Sequence, residues 1–68
     1  MVNVNLLKSE IVKNGLTQAE LCKKIGMAHS SFIRKMKNGV FTTAEAERLI
    51  TVLGIQNPVD VFFATKLT

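Results

Sequence analysis

Cationic side chains cluster in the middle of this 68-residue chain. No acidic residue occurs between Glu20 and Glu45, and that interval contains His29 together with five of the nine lysines and arginines. The five are Lys23, Lys24, Arg34, Lys35 and Lys37. The charged residues elsewhere sum to minus one, so this interval supplies the whole formal net charge of +4. Such a cluster favours binding of an anion, above all the phosphates of a nucleic acid. The alternative is an ordinary solvated basic surface.

Two short helices joined by a tight turn are predicted between Thr17 and Lys37. Thr17 and Glu20 have the spacing of a capping box, in which each residue accepts a hydrogen bond from the backbone of the other. The first helix is therefore expected over 18–25. Gly26 should end it, because glycine adopts the left-handed backbone conformation at little cost.

The second helix of this pair is predicted to begin at about His29 and to end at Lys37. Phe32 and Met36 lie four residues apart and should form its buried side. The residues expected on the opposite side are Ser30, Arg34 and Lys37. Arginine can donate two hydrogen bonds to guanine in the major groove, and serine can pair with several bases. The helix N-terminus also presents backbone N–H groups that suit a phosphate.

Three further helices are predicted, one before this pair and two after it. Their approximate spans are 5–14, 43–53 and a short segment after Asn57-Pro58, with Asn3 or Asn5, Thr42 and Asn57 as caps. Their predicted inner residues are Leu6, Leu7, Ile11, Ala46, Leu49, Ile50, Leu53, Val59, Phe62 and Phe63. No alternating strand pattern or repeat is present. We therefore expect a single all-α domain over 1–68, a compact bundle of about five short helices.

The segments outside the helices carry weaker signals. Val40 and Phe41 are expected to form an apolar loop tucked against the core. Glu45 and Glu47 are two residues apart and are expected on different helix faces, solvated near a positive helix end. The tail over 64–68 is expected to fray.

Composition excludes several classes of protein. No apolar run reaches about 18 residues, so we expect no transmembrane helix, and the N-terminus does not resemble a signal peptide. The single cysteine, Cys22, precludes an internal disulfide and is expected to be a small buried side chain. His29 is the one histidine, so no metal site is expected. With no paired acid and base, nucleophile constellation or phosphate-binding glycine loop, we expect no enzymatic activity and no cofactor. These features favour a cytoplasmic protein.

The stretch LTQAELCKKIGMAHSSFIRKMKNG resembles the helix-turn-helix of the phage Cro and repressor family. The five-helix pattern resembles that family's whole domain over about residues 4–63, as in short regulators of temperate phages and mobile elements. The resemblance implies that Gln18 contacts a phosphate and that His29, Ser30 and Arg34 reach base edges from the recognition helix. The full set of DNA-binding residues that we predict is Gln18, His29, Ser30, Ser31, Arg34, Lys35, Lys37, Asn38 and Thr43.

The chain departs from the family pattern around the recognition helix. Ala28 stands where the family often has a serine that caps this helix. The interval from Phe32 to Gly39 is one residue longer than usual, which places charged Lys35 where an apolar residue is expected. We therefore expect Met36 to occupy the buried position in its place.

The resemblance implies a sequence-specific DNA-binding transcriptional regulator of the lambda-repressor-like fold. It would act in a bacterial or phage-infected cell, associated with the nucleoid when bound. Two copies would place recognition helices about 34 Å apart in successive major grooves. A weak homodimer is predicted through the apolar residues Phe62 and Phe63. The alternatives are a modulator or antirepressor that binds another regulator with the same fold, and the antitoxin of a toxin–antitoxin pair.

Overall fold

Five helices follow one another in the computed structural model, which describes residues 2–63. They are α1 (Val4–Lys13), α2 (Gln18–Ile25), α3 (His29–Asn38), α4 (Thr43–Leu53) and α5 (Pro58–Phe62). The predicted spans of α2 and α4 are confirmed, α1 lies one residue earlier than predicted, and α3 ends one residue later. The longest of these helices has 11 residues, and none in the described range is long and apolar enough to cross a membrane. The tail predicted to fray lies outside that range.

Capping boxes begin α2 and α4, as predicted. The Glu20 backbone N–H donates to Thr17 Oγ1 at 3.1 Å, and the Thr17 N–H donates to Glu20 Oε1 at 2.9 Å. Thr42 and Glu45 repeat this exchange at 3.2 and 2.8 Å. These local bonds satisfy backbone donors that a helix start leaves unpaired, which explains why both helices begin where the sequence indicates.

The other two predicted caps differ from each other. Asn3 caps α1, because its side-chain oxygen accepts from the Leu6 backbone N–H at 3.1 Å. Asn57 precedes α5, but its side chain makes no capping hydrogen bond. The start of α5 therefore depends on Pro58, whose ring fixes a helical φ at the first position.

The core is built from apolar side chains of all five helices. Its buried members are Val2, Leu7, Ile11, Leu21, Cys22, Ile25, Phe32, Met36, Leu49, Leu53, Ile55, Val61 and Phe62. Three aromatic rings cross it in a row: the centroids of Phe32 and Phe41 lie 5.7 Å apart, and those of Phe41 and Phe62 lie 6.4 Å apart. This row joins α3, the loop after it and α5.

Four apolar residues predicted to be inside are exposed, and one of them is Phe63, which directly follows α5 and is 65% exposed. In α5 the inner side is formed by Pro58, Val61 and Phe62, which have the i, i+3, i+4 spacing of one helix face, so Val59 lies outside. In α1 the same geometry buries Leu7 and Ile11 and leaves Leu6 exposed.

The loop between α3 and α4 contains the last of these four residues. Phe41 packs against the core as predicted, but Val40 is exposed. A single loop residue occupies the available space because the Phe41 ring already lies between two other rings. The expectation that both residues are tucked in is therefore wrong for Val40.

Three hydrogen bonds within the described residues connect segments that are distant in sequence. The Asn3 backbone N–H donates to the Val61 carbonyl at 2.6 Å, joining the start of α1 to α5. The Asn14 side-chain nitrogen donates to the Leu53 carbonyl at 2.9 Å, joining the C-terminal ends of α1 and α4. The Val2 backbone N–H donates to the Gly39 carbonyl at 3.0 Å, joining the N-terminal segment to the end of α3. Together these bonds join α1 and the segment before it to the ends of α3 and α4 and to α5.

Candidate nucleic-acid interface

The turn from α2 to α3 is short and held by hydrogen bonds. Gly26 ends α2 with φ 69° and ψ 37°, a left-handed conformation that favours glycine. The backbone N–H groups of Gly26 and Met27 both donate to the Cys22 carbonyl. Met27 is half-buried and packs against the core. These contacts set the position of α3 relative to α2.

The outer side of α3 is polar and cationic. Phe32 and Met36 are buried, as predicted, and face the core. The residues predicted on the opposite side, Ser30, Arg34 and Lys37, are all exposed. No acidic residue occurs in α3. This exposed surface can therefore approach an anionic partner without like-charge repulsion.

The remaining predicted residues of α3 occupy its ends and one flank. His29 at the start and Asn38 at the end are exposed, and Ser31 is half-buried. Ala28 precedes the helix and supplies no side-chain cap. The backbone N–H groups of the first turn of α3 thus lack the side-chain acceptor that Asn3, Thr17 and Thr42 give α1, α2 and α4.

A groove of about 310 Å³ lies along one flank of α3, between that helix, α1 and the start of α2. The polar residues in its lining are Lys8, Gln18 and Lys37, and the apolar ones are Val4, Ile33 and Met36. The structure therefore brings predicted residues Gln18 and Lys37 together. Sequence reasoning missed Lys8, because nothing in the local pattern of α1 indicates that it runs beside α3.

The other flank of α3 is joined to α4 by an ion pair. The Lys35 ammonium contacts Glu45 Oε2, and the two side chains are only 27% and 15% exposed. Lys35 is thus directed toward α4 rather than outward with Lys37. Glu45 is not the solvated residue that we expected, since it serves both the capping box and this pair. Thr43, a predicted DNA-binding residue, is exposed on the same first turn of α4.

The pair with Lys35 changes the acidity of Glu45. The hydrogen bond from Lys35 lowers the pKa of the Glu45 carboxyl below its ordinary value of 4.5, and the Thr42 backbone and hydroxyl lower it further against the opposing effect of burial. A carboxyl whose pKa is lowered by folding stabilises the folded protein above its ordinary pKa, and that stabilisation is lost as the pH falls through the lowered value.

We predict that Glu45→Gln lowers the free energy of unfolding at neutral pH and has little effect in acid. Glutamine preserves the capping box but removes the charge, so the expected loss at about pH 7 is about 0.2–1 kcal/mol. Urea denaturation of both proteins at about pH 7 and about pH 3 checks this, because the difference should close in acid.

Glu20→Gln is the matched control for that measurement. Glu20 makes the same capping box, and within residues 2–63 it forms no ion pair. Its pKa is also lowered, chiefly by the hydrogen bond from the Thr17 backbone, so some pH dependence is expected. A Glu45→Gln effect no larger than that of Glu20→Gln would contradict a stabilising Lys35–Glu45 pair.

The two lysines of α2 do not line the groove beside α3. Lys23 and Lys24 are exposed. Lys24 instead borders a groove of about 440 Å³ between α2 and α4, where Glu47 and Arg48 are among the neighbours. Attraction of phosphate by these lysines remains a prediction from charge alone.

The burial of side chains tests two other predictions, the place of Cys22 in the core and a dimer surface formed by Phe62 and Phe63. Cys22 is buried, which confirms its expected place in the core, and burial raises the pKa of its thiol and so disfavours the reactive thiolate. Phe62 is also buried and therefore cannot form the surface of a dimer, contrary to expectation. Phe63 is 65% exposed and remains at the surface.

The outer side of α3 is thus an exposed polar face, and the polar first turns of α2 and α4 lie toward its two flanks. Gln18, at the start of α2, lines the groove on one flank of α3. Thr43 lies in the first turn of α4, which the Lys35–Glu45 pair joins to the other flank. Polar side chains are thus present on the outer side of α3 and toward both of its flanks. Comparisons of the chain with protein-family models, with curated proteins and with solved structures each found no match.

Proposed function

We propose that this protein is a sequence-specific DNA-binding transcriptional regulator, in which α2 and α3 act as a helix-turn-helix. The observation that carries this proposal is the exposed Ser30, Arg34 and Lys37 side of α3, which is free of acidic residues and opposite the packed Phe32 and Met36. An α-helix fits the major groove of B-DNA, where arginine and serine can distinguish base pairs.

The flanks of α3 suggest how the phosphate backbone would be held. On the groove side, Lys8, Gln18 and Lys37 share one lining and would contact one strand. On the α4 side, Thr43 would contact the other strand, with Ser31 and Asn38 at the edge of the helix. Contacts of this kind position a protein on DNA, and base contacts then provide specificity. Because Lys35 is paired with Glu45, we leave it out of the contacting set.

The base-contacting residues in this proposal are Arg34, Ser30 and His29. Arg34 is exposed at the centre of the outer side of α3 and would donate two hydrogen bonds to a guanine. Ser30 lies one helical turn earlier, and His29 begins the helix beside the uncapped N–H groups. These N–H groups offer a further phosphate site at the positive end of the helix dipole.

Two copies acting together would read two half-sites about 34 Å apart. Exposed Val59 and Phe63 on α5 and just after it provide apolar surface for a weak homodimer. The same surface also suits binding to another regulator, which is the second candidate function. Leu67, a further apolar residue near the C-terminus, lies outside the described residues.

Arg34→Ala tests the proposal directly. After selection of a preferred sequence from random double-stranded DNA, the variant should lose about 1–3 kcal/mol of binding free energy on that sequence and relax its preference at one base pair per half-site. Its melting should be nearly unchanged, because an exposed side chain away from caps and core affects stability by only about 0.5 kcal/mol.

Lys23→Ala is the comparison for this experiment. Loss of a phosphate-attracting charge should weaken binding to specific and random DNA about equally. Competition between the two kinds of DNA, with thermal melts of each variant, separates these outcomes. Full discrimination by a normally folded Arg34→Ala protein would show that the outer side of α3 does not read bases. Absence of any DNA binding by the wild type would favour the protein-binding alternative.

A further inference from the structure

One large apolar side chain interrupts the polar outer surface of α3. Ile33 is 50% exposed, whereas the other apolar residues of this helix, Phe32 and Met36, are buried. On a helix, residues three and four apart are neighbours, so Ile33 lies beside Ser30 and Lys37. It also directly precedes Arg34. Ile33 is therefore the one large exposed apolar side chain on the helix proposed to enter the major groove.

We infer that Ile33 reads the 5-methyl group of a thymine. This inference depends on the proposed function and deepens it by naming a base that α3 should prefer. In the major groove, the thymine methyl is the apolar feature of a base edge, and apolar side chains contact it. Contact removes both the methyl group and the exposed part of Ile33 from water.

The surroundings of Ile33 suit a fixed reading position. Its side chain lines the α1–α3 groove, whose apolar lining also includes Val4 and Met36. Isoleucine is β-branched and has restricted rotation about χ1. Few rotamers are therefore open to this side chain, and the phosphate-contacting candidates Lys8 and Lys37 line the same groove.

A protein-docking role is the less favoured explanation for this exposure. Surfaces that dock proteins through apolar contact usually present a contiguous apolar patch. Ile33 is the one large apolar side chain exposed on α3, and its exposed neighbours Ser30, Arg34 and Lys37 are polar or cationic. A single apolar side chain bordered by hydrogen-bond donors suits the edge of an A·T pair, where one methyl group lies beside polar atoms, better than it suits an apolar protein surface.

The test compares thymine with deoxyuridine, which differs only in lacking the methyl group. A preferred DNA sequence is first selected from a random library with the wild-type protein, and each thymine of a half-site is then replaced in turn. One replacement should weaken wild-type binding about fourfold, the effect expected for one buried methylene-sized group. Ile33→Ala should bind the thymine and deoxyuridine duplexes equally.

Val12→Ala is the matched control, because Val12 is an exposed apolar residue on α1, 75% exposed. This variant should keep the wild-type ratio between the two duplexes. The ratio is measured within one protein, so a general loss of stability in Ile33→Ala does not imitate the expected result.

Three outcomes would overturn the inference. A selected half-site without thymine, or equal wild-type binding of the two duplexes, would do so while leaving sequence-specific DNA binding intact. Retention of the fourfold ratio by Ile33→Ala would show that another residue contacts the methyl group. If the wild type selects no DNA sequence at all, the proposed function fails and the inference fails with it.

Discussion

Phe32→Ala is expected to lower the free energy of unfolding by about 3–5 kcal/mol. Phe32 is fully buried in α3, and its ring adjoins that of Phe41, which in turn adjoins Phe62. Removing the first ring leaves a cavity beneath α3 and deprives Phe41 of a partner. A domain of this size has a total stability of roughly 3–10 kcal/mol, so the variant should be largely unfolded or strongly destabilised.

Denaturant unfolding followed by circular dichroism measures this effect, and Phe63→Ala supplies the control. It makes the same chemical change at a side chain that is 65% exposed, so the loss should be much smaller. Phe32→Leu fills most of the space and should recover a large part of the stability. If Phe32→Ala had the same denaturant midpoint of unfolding as the wild type, that result would contradict the place of Phe32 at the centre of the core.

Much of the helical framework could be predicted because its signals are local. The Thr17–Glu20 and Thr42–Glu45 spacings specify helix starts through hydrogen bonds that span three residues. Gly26 likewise specifies a helix end through its own backbone conformation. Such signals require no knowledge of which helices become neighbours.

Burial within short segments was harder to predict. In α5, of five residues, Val59 and Val61 are chemically identical, and only the position of α5 against the core decides which one is buried. For Val40 and Phe41 too, the packing of the loop against the core decides which side chain is buried. A local apolar pattern contains too few residues there to define a helical face.

The exposure of the residues at the centre of the candidate site could be predicted, but the neighbours at its edges could not. The outward side of α3 followed from Phe32 and Met36, because helical periodicity relates the two faces of one helix. The pairing of Lys35 with Glu45 and the place of Lys8 beside α3 depend on how separate helices pack. Charge alone therefore assigned Lys35 to the DNA surface, and the apolar Ile33 was overlooked.

DNA binding by the wild-type protein should decrease steeply with salt. Each phosphate neutralised by a lysine or arginine releases condensed counterions, which contributes about −0.9 to the slope of log affinity against log salt concentration. For a dimer with several such contacts per subunit, the slope should be about −4 to −7, so raising salt from about 50 to about 200 mM should weaken binding by roughly 10²- to 10⁴-fold.

Two lysines of α3 provide a matched pair for this titration. Lys37 is exposed beside the groove that contains Gln18, whereas Lys35 is half-buried and paired with Glu45. Lys37→Gln and Lys35→Gln remove the same charge two residues apart, but only the first should remove a phosphate contact and reduce the magnitude of the slope by about 0.9 per subunit. Affinity titrations at several salt concentrations give the slope for each protein. A flat wild-type response would contradict backbone binding, and equal slopes for the two variants would contradict the separate roles of Lys35 and Lys37.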